Sequence, residues 1–223
     1  MAQWAIGIDI GGTFTDLVAA DHDSGKHHSL KVLTTHTDPT QAVLRGIAQL
    51  MQQEGIEPGD VTRIVHATTL FTNALIERRG ARTGMLLTEG FKDIIEMGNE
   101  RKYDLYDLQL DRAEPLAPRD LRAEVAGRLN ALGDEIQPMN LEQALATVDT
   151  LVANGIESLA ICLLHAYRND IHEQALKHAI SARHPDLVLT LSSETAPVIR
   201  EYERMSTTLA NAYIKPMAQS YLE

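Results

Sequence analysis

The densest chemistry in the 223-residue chain lies at its start, in Gly7-Ile8-Asp9-Ile10-Gly11-Gly12-Thr13-Phe14-Thr15-Asp16. A strand pattern halts there at a glycine pair, and a second strand pattern begins at once. Such a pair lets the backbone take angles that a side chain forbids and lets amide N–H groups approach an anion closely. Thr13 and Thr15 add hydroxyl donors, so Gly11, Gly12, Thr13 and Thr15 together suit a phosphate-binding hairpin. Asp9 carries an acceptor-only group, which fits either a water-bridged Mg²⁺ or the orientation of a nucleophile. A plain β-turn accounts for the same two glycines. Neither a P-loop nor a dinucleotide fingerprint is present, because the glycines open a hairpin instead of a helix.

A second group follows at His66-Ala67-Thr68-Thr69, where a strand ends in imidazole and hydroxyl groups ahead of a helix. Carboxyl ends of strands are where α/β sheets bind ligands. His66 is the catalytic candidate here, with Thr68 and Thr69 on the substrate side; plain capping by either threonine, with His66 satisfied internally, is the alternative. The histidines His27, His28, His165, His172, His178 and His184 lack the four-residue spacing of a helical zinc pair. Cys162, flanked by Ala160, Ile161, Leu163 and Leu164, reads as core packing and has no disulfide partner. Arg200-Glu201-Tyr202-Glu203-Arg204 fits an interdomain latch, a substrate contact or a solvated helix face.

Strands are expected over 4–10, 14–20 and 29–34, then a helix capped by Thr37 or Asp38 and closed by Gly55. A strand over 61–67, a helix over 71–79 stopped by Gly80 and a strand over 83–88 complete the order βββαβαβ. Residues 91–137 form an irregular excursion, with a helix possible over 121–132. Helix 141–153, strand 158–164, helix 171–183 and strand 187–192 make an α/β unit. One long helix over 196–222 follows, started by Pro197 and interrupted by Pro216.

Net charge is −11, with 20 Lys and Arg against 31 Asp and Glu, which disfavours nucleic-acid and anionic-membrane partners. No apolar run approaches a membrane span, and a single cysteine without a leader pattern points to a reducing cytoplasm.

The chain resembles the N-terminal region of the hydantoinase A and 5-oxoprolinase family, which includes acetone carboxylase-type subunits and belongs to the actin-like ATPases. The likeness runs over nearly every residue. It is carried by Gly7 to Asp16, by His66-Ala67-Thr68-Thr69 with Thr72-Asn73-Ala74-Leu75, by Glu77-Arg78-Arg79-Gly80-Ala81 and by Arg200 to Arg204. Ala67 departs from the family's usual glycine. The resemblance implies a ribonuclease H-like, actin-like N-terminal lobe with an additional α/β unit and a long C-terminal helix, the second lobe being absent. It implies a region over 1–192, with a phosphate-hairpin core to 90 and the α/β unit from 138, followed by the start of a main domain over 193–223. The implied chemistry is ATP- and Mg²⁺-dependent opening of a small cyclic amide. It assigns Gly11, Gly12, Thr13 and Thr15 to phosphates, Asp9 to Mg²⁺ or the nucleophile, and His66, Thr68 and Thr69 to the substrate side.

The second Asp-x-Gly-Gly loop that closes such sites does not occur, since Gly127, Gly133 and Gly155 stand isolated. A complementing half and a second, hydantoinase B-type subunit are therefore the expected partners, with little turnover by this chain alone. A sugar or small-metabolite kinase would carry a similar hairpin, and a non-catalytic interaction module is the third possibility.

Overall fold

The computed structural model describes residues 3–35, 38–100, 104, 106, 107, 109 and 113–222. They divide into two compact units, Met1–Glu77 with Tyr221–Glu223, and Arg78–Ser220.

In the first unit β1 (Trp4–Ile10), β2 (Phe14–Asp21) and β3 (His27–Leu33) form an antiparallel meander. After α1 (Pro39–Glu54), β4 (Val61–Thr68) lies parallel to β1, giving the order β3-β2-β1-β4, and α2 (Leu70–Ile76) leaves its carboxyl end. The period of two sends Trp4, Ile6, Ile8 and Ile10 to one face, where they bury with Leu17, Ala19, Leu50 and Ile56. At about 1.5–3 kcal/mol per buried large aliphatic side chain, this layer is the unit's main source of stability. Asp38 caps α1 by accepting from the Thr40 amide at 3.1 Å, and Gly55 closes it in the left-handed region at φ 65°. Thr37, the other cap candidate, lies outside the described residues.

The second unit holds β5 (Thr83–Thr88), α3 (Ile94–Met97), β6 (Arg122–Val125), β7 (Arg128–Leu129), β8 (Glu135–Gln137), α4 (Leu141–Ala153), β9 (Ser158–Cys162), α5 (Ile171–Arg183), β10 (Val188–Leu191), α6 (Ser192–Thr195) and most of α7 (Glu201–Leu222). Its sheet runs β10-β9-β5-β6, all parallel. Every residue of β5 and β9 is buried, as expected of parallel strands covered on both faces. Val148, Leu151, Leu176 and Ile180 from α4 and α5 pack on one face, and Met205, Leu209 and Ala212 from α7 on the other. The chain order βββαβαβ is present, with its last strand, β5, in this second sheet.

Four local expectations differ. α2 stops at Ile76, short of residue 79, because Arg78 adopts φ 55° and turns the chain before Gly80 is reached. Residues 121–132 hold strands: Leu121, Val125 and Leu129 are buried at a helix-like spacing, but Gly127 at φ 131° breaks the run. The long helix begins at Glu201 instead of 196, since Ala196, preceding Pro197, is held out of the helical region at φ −147° and ψ 72°. Pro216 sits inside α7 without ending it. Among the described residues no helix is long and apolar enough to cross a membrane.

Cys162 is fully buried in β9, and burial pushes its thiol well above the ordinary range. It is expected to resist alkylation by iodoacetamide in the native protein and to react fully in denaturant; rapid native labelling would contradict the packing described.

Candidate functional site

The β1–β2 hairpin turns at Gly12-Thr13, closed by the Gly11 amide donating to the Phe14 carbonyl at 2.9 Å. Neither Gly11 nor Gly12 adopts the left-handed region, so the glycines serve space, not the unusual backbone angles expected from sequence. A Cβ on Gly11 would stand 3.0 Å from the Phe14 carbonyl oxygen, and one on Gly12 would stand 3.2 Å from Asn73 Nδ2. Among the described residues, no acceptor takes the amides of Gly12 and Thr13 or the Thr13 hydroxyl, which leaves three donors at the turn.

Thr15 is different: it is completely buried, its hydroxyl 3.0 Å from that of Thr34, which donates to the Gly11 carbonyl at 3.0 Å. Its hydroxyl braces the turn from beneath.

Asp9 is exposed on the face opposite α1 and lies directly across from Asp16, whose carboxylate pairs with Lys31 Nζ at 3.1 Å. Directly opposed residues share a face, so two carboxylates stand one step behind the turn. Like charges placed so are unfavourable unless a cation offsets them, and Lys31 is one such cation beside Asp16. Ala67 is the register partner of Asp9 on β4 and puts its methyl group on the same face.

The start of α2 is fastened to the end of β1. The Ile10 carbonyl accepts from the Thr69 amide at 3.1 Å, from the Thr68 hydroxyl at 3.2 Å and from the Thr69 hydroxyl at 3.4 Å. The Thr68 hydroxyl also accepts from the Leu70 amide, the first of α2, at 3.0 Å, whereas Thr69, at the N-cap position itself, makes no side-chain cap bond. Both threonine hydroxyls are therefore committed to this joint.

His66 aligns with Ile8, on the opposite side of the sheet from Asp9, so the two catalytic candidates do not converge. Its Nε2 shares a 2.6 Å hydrogen bond with the Tyr221 hydroxyl, and Tyr221 packs edge-on against both His66 and Phe71. Burial pushes the Tyr221 phenol up, keeping it protonated.

Asp16, Asn73 and Thr34 complete the site beyond the residues singled out from sequence. The first two lie inside the motifs already quoted, and the alternation of β1 with β2 was enough to pair Asp16 with Asp9.

In the second unit Arg204 is fully buried, donating to the Leu163 and Val198 carbonyls at 2.9 and 3.2 Å, to Ser192 Oγ at 3.2 Å and to Glu201. It ties α7 to β9 and α6, and the solvated-face alternative does not describe it. His172 and His184 are held by Glu135 and Asp149 at 2.7 and 2.8 Å, and among the described residues no three His, Cys, Asp or Glu side chains gather as a metal cluster.

The family model for the hydantoinase/oxoprolinase N-terminal region matches residues 5–183. Caprolactamase subunit alpha of Pseudomonas jessenii is 35% identical over 99% of this chain, which spans 32% of that polypeptide. The crystal structure of the ATP-dependent caprolactamase from the same organism superposes with a TM-score of 0.87 at 36% identity, covering 98% of this chain and 32% of that one. Nucleotide-free acetone carboxylase shares the fold at TM-score 0.89 and 24% identity, over 100% of this chain and 34% of that one. The chain thus spans about a third of the length of these relatives.

Proposed function

The chain belongs to the hydantoinase/oxoprolinase N-terminal family, and on that premise we propose that its first unit grips the terminal phosphates of ATP during the opening of a cyclic amide. The observation that carries this reading is the turn itself: the amides of Gly12 and Thr13 and the Thr13 hydroxyl, which meet no acceptor among the described residues, stand ahead of the opposed carboxylates of Asp9 and Asp16. Donors at the turn suit phosphate oxygens, and the carboxylates suit the magnesium ion that accompanies them. Hard oxygen ligands from one or two carboxylates plus substrate phosphates are what Mg²⁺ prefers, and Asp9 and Asp16 would hold it directly or through water. The ion would screen the transferred charge.

ATP is needed because a lactam carbonyl is a poor electrophile. Transfer of the γ-phosphoryl group to the lactam oxygen releases ADP. Water then adds to the carbon, the C–N bond breaks as nitrogen takes a proton, and a second water frees phosphate from the resulting acyl phosphate. Thr15, Thr34, Thr68 and Thr69 contribute rigidity, holding the turn and α2 in place before the nucleotide arrives. His66, bonded to Tyr221, lies on the other side of the sheet and serves this reading only as a support of the β4–α2 joint. The remaining wall of the cleft comes from further polypeptide, in the same or a second chain, and a hydantoinase B-type subunit is the partner of choice. A cytoplasmic setting suits the ATP requirement.

Titrating the chain, alone and with a complementing lobe, with Mg²⁺ and a non-hydrolysable ATP analogue tests the proposal by calorimetry. Saturable, Mg²⁺-dependent binding is expected, weakened at least about tenfold, or about 1.4 kcal/mol, by Asp9→Asn. Binding indifferent to Mg²⁺ and to Asp9→Asn would contradict it.

A further inference from the structure

Gly12 is a glycine for a reason that lies outside its own turn. The close neighbour of its missing side chain is Asn73 Nδ2, 3.2 Å from where a Cβ would stand. Asn73 lies one helical turn after Thr69 and donates to Thr69 Oγ1 at 3.4 Å. Thr69 is in turn bound through both its amide and its hydroxyl to the Ile10 carbonyl, the last of β1. A run of contacts therefore leads from the end of β1 through Thr69 to Asn73 and back to the turn that β1 enters. It fixes a half-buried carboxamide against the glycine pair.

A carboxamide nitrogen carries two hydrogens. Thr69 takes one of them, and among the described residues no acceptor takes the other. The turn beside it already presents the amides of Gly12 and Thr13, which no acceptor takes among the described residues.

We propose that Asn73 is a ligand-contacting residue of this site, donating from Nδ2 to a terminal phosphate oxygen of the nucleotide held at Gly12 and Thr13. The inference rests on the nucleotide reading of the hairpin and adds to it a side-chain donor from α2. A neutral donor suits the position, because it adds attraction for the phosphate without a mobile charge. It also explains why space at residue 12 is kept open: any side chain there would displace the amide from the phosphate.

The test uses the whole chain, with Mg²⁺ and the non-hydrolysable ATP analogue as probe. Asn73→Ala removes the donor and is expected to weaken binding about tenfold, as loss of one hydrogen bond to a charged group does. Asn73→Asp keeps the shape but turns a carboxylate toward the phosphate, and is expected to weaken it a hundredfold or more. A wild-type readout accompanies these: the Asn73 side-chain NH₂ resonances should shift on saturation together with the Gly12 and Thr13 amides. Variants binding within twofold of wild type, or side-chain resonances unmoved while the turn amides shift, would overturn the inference and leave the nucleotide reading intact. Wild-type chain that shows no saturable binding even with the complementing lobe present would overturn both.

Discussion

Replacing Glu173 by alanine is expected to destabilise the protein by about 4 kcal/mol, read from denaturant unfolding. Glu173 lies in the first turn of α5, completely buried. Its Oε1 accepts from the Leu163 amide at 2.8 Å and from Ser192 Oγ at 2.6 Å; its Oε2 accepts from the Ser193 amide and hydroxyl at 2.9 and 2.7 Å. Alanine removes the acceptor from all four donors, of which the Leu163 amide and the Ser192 hydroxyl are buried. The loss spreads, because Ser192 also accepts from Arg204, which anchors the start of α7. Glu173→Gln keeps an acceptor in place and should cost much less.

The same residue gives stability a pH dependence of definite sign. Burial, opposed by the four donors, pushes its carboxyl above the ordinary value of 4.5. The folded protein then holds this proton to higher pH than the unfolded chain does, so Glu173's contribution to stability falls as pH rises from about 4.5 through the raised value. Glu173→Gln should flatten that part of the profile; an unchanged slope would show that other groups produce it.

Gly80→Ala is the second large effect, expected at about 3 kcal/mol. A Cβ at residue 80 would lie 2.2 Å from two ring carbons of Tyr213 and 2.6 Å from its carbonyl oxygen. Tyr213 is buried in α7, and its carbonyl accepts from the Ala81 amide at 2.9 Å, so neither ring nor backbone has room to yield. A midpoint change below about 0.5 kcal/mol would contradict this packing.

The contrast between these two residues and the hairpin shows where sequence sufficed. β1 was legible because four large apolar residues alternate cleanly, and the glycine pair marked the turn without ambiguity. Gly80 was legible as a glycine but not in its role: it looked like a helix stop and is instead a point of close approach to a helix more than 130 residues on. Glu173 looked like any acidic residue in a first helical turn, since its burial depends on α6 and the end of β9 meeting there. Arg204 was ambiguous for the same reason. The separation of His66 from Asp9 needed the register of β4 against β1, which links residues 58 apart and has no local signature. Residues 121–132 misled because apolar residues four apart satisfy a helical period even when a glycine breaks the backbone between them.

The central claim is that the Gly12-Thr13 turn holds the nucleotide's terminal phosphates. The most direct measurement is a crystal structure of the chain with its complementing lobe, Mg²⁺ and a non-hydrolysable triphosphate. The account predicts β- and γ-phosphate density within hydrogen-bond distance of the Gly12 and Thr13 amides, with the ion beside Asp9 and Asp16. A well-ordered triphosphate bound elsewhere, with this turn free of it, would contradict the account.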